Sequence, residues 1–101
     1  MKFYVIGDAE TVLGFSLAGI EGKVVANKEE TREALNKAFN IEGIGIIIIT
    51  ERTAQTIRQQ VDQHILKKSF PLIIEIPDRH GPVEGKSDIK DMVSKAVGIS
   101  I

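Results

Sequence analysis

The run GIIIIT at residues 45–50 constrains this chain more than any other stretch. Four consecutive isoleucines favour an extended backbone, and the lack of a polar residue at every second position leaves no face for water. A strand of that kind is buried on both sides, which happens in parallel sheets covered by helices above and below. Three companions, KFYVI at 2–6, GKVVA at 22–26 and PLIIEI at 71–76, are short and rich in Val and Ile. Between them lie segments of helical period. Residues 11–19 place Val12, Leu13, Ser16 and Leu17 near one face, with Ile20 following. Residues 28–39 open with Asn27 and Glu30 spaced as a capping box and offer Ala34, Leu35, Ala38 and Phe39 to a core. Residues 51–67 carry Ala54, Ile57, Val61 and Ile65 at steps of three and four. Residues 88–97 carry Ile89, Met92, Val93, Ala96 and Val97, with Ser87 as cap and Gly98 as stop.

Strand and helix thus alternate four times, and the chain of 101 residues suits one core. The pattern predicts an α/β fold: a four-stranded parallel sheet of order 2-1-3-4 with helices on both faces, as in flavodoxin-like and receiver-like topologies. Residues 1–76 are expected to form the sheet core. Residues 77–101 add a loop and a C-terminal amphipathic helix to the same domain, and the loop 77–86, with two prolines and two glycines, is expected to be mobile.

Thirteen basic and fourteen acidic side chains leave a net charge of −1, so no broad field favours nucleic acid or an anionic membrane. The absence of cysteine excludes disulfides and thiolate metal sites. The N-terminus MKFYVIGD lacks a signal-peptide pattern, and no apolar run approaches the roughly 18 residues of a membrane span. These features predict a soluble, intracellular chain without direct membrane insertion.

Chemistry in such sheets sits beyond the C-terminal strand ends. The sequence RHGPVEGKSDIK at 79–90 resembles a phosphate-binding P-loop, G-x-x-x-x-G-K-[ST]. Gly81 and Gly85 are one residue too close, His80 stands where glycine belongs, and Pro82 removes a donor from the cradle. After the first strand, GDAETVLG has Ala9 where a dinucleotide turn needs glycine, and Thr11 alone is thin for a flavin phosphate loop. Asp8 is expected to cap the following helix. A phosphoacceptor receiver needs an acid pair, an acceptor Asp and a Lys in these loops. Asp8 is followed by Ala9, the third strand ends in Thr50 and Glu51, and the fourth ends in Pro77 and Asp78, so three of four roles are unfilled. His64 and His80 have no second ligand at metal spacing and are read as solvated surface residues, while Lys67 and Lys68 suit the last turn of a helix. No catalytic, cofactor or metal residue is assigned, and no cofactor is expected.

Three segments carry a family resemblance: YVIGDAETVLGFSLAGI at 4–20, GIIIITE at 45–51 and PLIIEIPDRHG at 71–81. Their order and spacing resemble the F subunit of the V-type and A-type rotary ATPases over essentially the whole chain. The resemblance implies a non-catalytic central-stalk protein that binds the coiled-coil D subunit of the rotor. Through the complex it meets the catalytic ATPase subunits and helps couple ATP hydrolysis or synthesis to rotation and ion transport. It also implies a cytoplasmic location, peripheral to the membrane. The family's last helix and preceding loop are associated with contact or conformational change, so Ile89, Met92, Val93 and Val97 become candidate partner-binding residues. If that helix instead docks on its own sheet, burying its four larger side chains contributes on the order of 6 to 12 kcal/mol before entropy. Gly14 and Gly19 are expected to allow close packing of helix on sheet. A degenerate receiver-like signalling or small-ligand-binding domain remains the alternative.

Overall fold

The computed structural model describes residues 2–81. Strands β1 (Lys2–Gly7), β2 (Glu21–Val24), β3 (Ile44–Thr50) and β4 (Leu72–Ile76) form one sheet of order β2-β1-β3-β4, with every pairing parallel. This is the predicted order. The Ile-rich β3 lies in the middle, where Ile47 and Ile49 have no exposed surface. Each such side chain contributes roughly 1.5–3 kcal/mol by burial.

Among the described residues four helices flank the sheet: α1 (Ala9–Ser16), α2 (Lys28–Phe39), α3 (Glu51–Thr56) and α4 (Arg58–Lys67). The larger core joins Ile6, Ile47 and Ile49 of the sheet to Leu35 of α2, Ala54 of α3 and Val61 of α4. The smaller core lies on the other face, where Val5 and Ile48 meet Val12 of α1, with Phe15 and Ile20 packed against them.

Local signals set the helix starts. Asp8 accepts hydrogen bonds from the Thr11 amide at 3.1 Å and the Thr11 hydroxyl at 2.7 Å. Asn27 accepts from the Glu30 amide at 2.9 Å, and Glu30 reaches back to the Ala26 amide at 2.9 Å, one residue before the usual capping-box donor. Thr50 caps α3 through the Thr53 amide at 3.2 Å.

Three expectations are corrected. The continuous helix at 51–67 is two helices, because Ile57 leaves helical geometry at φ −128° and ψ 41°. The Thr56 hydroxyl takes the Thr53 carbonyl, and β-branched Ile57 adopts an extended φ while staying buried; the bend turns Arg58 toward Glu75 on β4. The helix expected at 11–19 runs instead from Ala9 to Ser16, and its inner face is Val12 with Phe15. Leu13 and Leu17 point outward, 61% and 83% exposed, because only Val12 and Phe15 fall over the sheet. Gly14 does not pack on the sheet either, since a Cβ there would meet nothing within 4 Å.

Candidate interaction surfaces

The C-terminal strand ends enclose a cavity of about 190 Å³ lined by Asp8, Asn27, Thr31, Arg52, Thr56 and Asp78 among others. It occupies the place where a ligand site is expected in this topology. Its polar groups are already engaged. Asp8 is bound to Thr11, and the Thr31 hydroxyl donates to the Asn27 carbonyl at 2.7 Å. Asp78 accepts from Arg52 Nε at 3.0 Å and from the His80 amide at 2.9 Å.

Both carboxyls titrate below the usual carboxylate range. For Asp8, partial burial pushes upward, but the side-chain and backbone hydrogen bonds from Thr11 outweigh it. For Asp78, desolvation is again the opposing effect, overcome by the His80 amide and then by Arg52. Arranged this way, the acids serve as caps and tethers. Among the described residues no group of three or more His, Asp or Glu side chains converges as a metal site.

The two histidines have separate fates. His80 is exposed beside Arg79. His64 is not the solvated residue expected from its position on a helix: its ring stacks on Phe39 with centroids 4.5 Å apart, and Nε2 lies 2.6 Å from the Pro71 carbonyl. Phe39 ends α2 and Pro71 precedes β4, so His64 joins three elements that no sequence spacing links.

Ion pairs secure the chain as it leaves β4. Arg52 of α3 holds Asp78, and Arg79 Nη1 lies 2.8 Å from Glu10 Oε2 on α1. An antiparallel bridge joins Asp78 to Gly81, whose φ of +86° suits glycine. The P-loop-like residues beyond Gly81 and the candidate contacts Ile89, Met92, Val93 and Val97 lie outside the described residues.

What the described surface offers is apolar. Phe3, Leu72 and Ile74 are 42%, 44% and 46% exposed on the sheet face beneath α1, and Leu66 and Phe70 project near the start of β4. Sequence reasoning missed the sheet patch because β4 reads as a buried run. Among the described residues only α1 lies on that face, against α2, α3 and α4 on the other, and no spacing in β4 signals it. No described helix is long and apolar enough to cross a membrane.

The geometry agrees with comparisons to known proteins. A family model, ATP synthase (F/14-kDa) subunit, matches residues 3–93. The A-type ATP synthase F subunit of Methanocaldococcus jannaschii is 43% identical over 102 residues, covering 100% of this chain and 99% of that protein. The protein of the same name from Methanothermobacter thermautotrophicus is 35% identical, covering 96% of this chain and 92% of its own length. A crystal structure of the V-type ATP synthase F subunit from Archaeoglobus fulgidus shares the fold, with a TM-score of 0.61 at 24% identity over 74% of this chain and 95% of that one. With a four-stranded 2-1-3-4 sheet and a family match spanning residues 3–93, the chain belongs to the F subunits of the A-type and V-type ATP synthases.

Proposed function

We propose that this chain is the non-catalytic central-stalk component of its ATPase, binding the coiled-coil D subunit of the rotor and helping couple ATP hydrolysis or synthesis to rotation and ion transport. The observation that carries this reading is the match to F subunits along essentially the whole chain, which makes it a component of a multi-subunit machine. The strand-end loops support it. Asp8, Thr50 and Asp78 are committed to helix caps and an ion pair, an arrangement suited to anchoring a rigid body.

Part of the rotor contact is assigned to residues 77–101, with Ile89, Met92, Val93 and Val97 as apolar anchors of the kind that dominate protein interfaces. The protein then resides in the cytoplasm, held at the membrane periphery by the complex.

Affinity purification of the native complex through a tag on this chain tests the class: rotor and catalytic ATPase subunits should be recovered together, and their absence would refute the assignment. Met92→Asp and Val93→Asp should weaken binding of the purified D subunit at least tenfold while the melting temperature of the free chain is followed in parallel. Unchanged affinity for that rotor protein would remove these residues from the interface. Calorimetry of the free chain with Mg-ATP should show no heat of binding. A micromolar affinity abolished by Lys86→Ala would overturn the non-catalytic reading.

A further inference from the structure

The outer face of α1 is apolar and exposed. Leu13 and Leu17, one helical turn apart, are 61% and 83% exposed, and Gly14 stands beside them with open space where a side chain would be. All three lie opposite Val12 and Phe15, the residues that hold α1 on the sheet. Exposed leucines alone are ordinary on a protein surface. The glycine needs a cause, because inside a helix it is less favourable than alanine. Gly22 has one, since a Cβ there would overlap Val5, and Gly81 has one in its positive φ. At Gly14 nothing within the described fold uses the missing side chain.

We propose that this face of α1 seats one helix of the coiled-coil rotor subunit, with Leu13 and Leu17 as its apolar contacts and Gly14 as the point of closest backbone approach. Four features select that occupant. Glu10, Leu13, Gly14 and Leu17 stand at i, i+3, i+4 and i+7, the four corners of a hole that takes one knob of a facing helix, and the cap residue Leu17 keeps right-handed helical angles that complete it. A second copy of the chain is too small an occupant: α1 has eight residues and is about 12 Å long, so pairing it with itself would bury far less than the roughly 800 Å² per partner of a stable complex. A long partner helix instead runs past both ends of α1 and gains surface there. Charge sets the flanks, because residues 8–20 carry Asp8 and Glu10 and no basic side chain, which suits a partner with Lys or Arg beside its apolar positions. Finally, the Arg79–Glu10 ion pair brings the start of residues 77–101, the segment assigned part of the rotor contact, to the rim of the same hole.

The partner's identity rests on the proposed function, whereas the seat rests on α1. Because α1 is held to the sheet by its inner face, the outer contacts are separable from folding.

The absence of cysteine allows a single Leu17→Cys to report on this face in the full chain. In the free protein its thiol should react with a maleimide at the rate of an unfolded control, and saturating purified D subunit should slow that reaction about tenfold or more. The double variant Leu13→Ser, Leu17→Ser and the single variant Gly14→Leu should each weaken binding of the D subunit about tenfold or more while the melting temperature of the free chain stays close to that of wild type. Gly14→Leu adds apolar surface, so its loss of affinity separates close helix packing from general hydrophobic adhesion. If the serine variant unfolds, Gly14→Leu and the labelling rates decide. Unchanged affinity in the folded variants, or equal labelling with and without the D subunit, would overturn the seat. Protection of the thiol in the free chain would overturn it too, since a second copy or another segment of the chain would then occupy the face. Wild type that binds the D subunit while these variants bind equally well removes the seat and leaves the partner standing. Wild type that fails to bind removes the partner, and the seat falls with it.

Discussion

Replacing Arg58 by Met should destabilise the domain by about 2 kcal/mol, chiefly through its effect on Glu75. The guanidinium grips that carboxylate bidentately, Nη1 to Oε2 and Nη2 to Oε1, both at 2.7 Å, and Nη1 also reaches Asp62 Oδ1 at 3.1 Å. The carboxylate's hydrogen bond holds the Arg58 pKa above its ordinary value despite opposing desolvation. The side chains are 26% and 13% exposed, which places the pair between two regimes. An exposed pair contributes about 0–1 kcal/mol, and removing one partner of a fully buried pair costs about 3–5 kcal/mol. For a domain of this size, about 2 kcal/mol lowers the melting temperature by roughly 10 °C. Urea unfolding followed by circular dichroism, on Arg58→Met, Glu75→Gln and the double variant, isolates the pairwise interaction, expected at about 1.5 kcal/mol. The pair should also be less sensitive to salt than Lys37–Glu33, whose side chains are 73% and 68% exposed. A coupling below about 0.5 kcal/mol would refute the claim that this ion pair fastens α4 to the edge strand.

Leu35→Ala should cost about 2–5 kcal/mol, whereas Leu17→Ala should stay within about 0.5 kcal/mol, although both leucines fit a helical apolar stripe in sequence; chemical denaturation of the two variants checks the inverted assignment of the α1 face. Gly22→Ala should destabilise by at least about 2 kcal/mol, because the new Cβ would overlap Val5 Cγ1 and the Val5 carbonyl oxygen where β2 pairs with β1; a native-like melting temperature would contradict that close approach. Asp8→Ala should remove about 1 kcal/mol at neutral pH by deleting the α1 cap. Because the folded-state pKa of Asp8 is depressed, the wild-type advantage is full above the ordinary value of 3.8 and fades as pH falls through the lower native value, so stability curves of wild type and variant should converge in acid.

The elements that were legible in the sequence are those whose cause is local. GIIIIT declared a strand buried on both faces, Asn27 with Glu30 announced the start of α2, and Asp8 announced α1, because each depends on side chains within a few residues of one another. The 2-1-3-4 order followed from matching that alternation to the flavodoxin-like pattern. The engagement of the strand-end acids was only half legible: the Asp8 cap spans three residues, whereas the Arg52–Asp78 pair spans 26 positions and has no periodic signature. The bend at Ile57 was hidden because Ala54, Ile57 and Val61 keep helical spacing across it, and the break shows only in the backbone angles.

By itself, the sequence determined the fold class through its apolar period, the strand order through the flavodoxin-like pattern that period matches, and the family through the resemblance carried by residues 4–20, 45–51 and 71–81. Only the tertiary structure decided which apolar side chains are used. Leu13 and Leu17 turn outward, His64 bridges Phe39 to Pro71, and Ile74 stands open while its paired neighbour Ile48 is covered. The physical reason is that burial belongs to the neighbours a side chain meets in space. A residue's hydrophobicity states how favourable contact would be, and the placement of the neighbouring elements, such as α1 over β1 and β2, decides where contact exists.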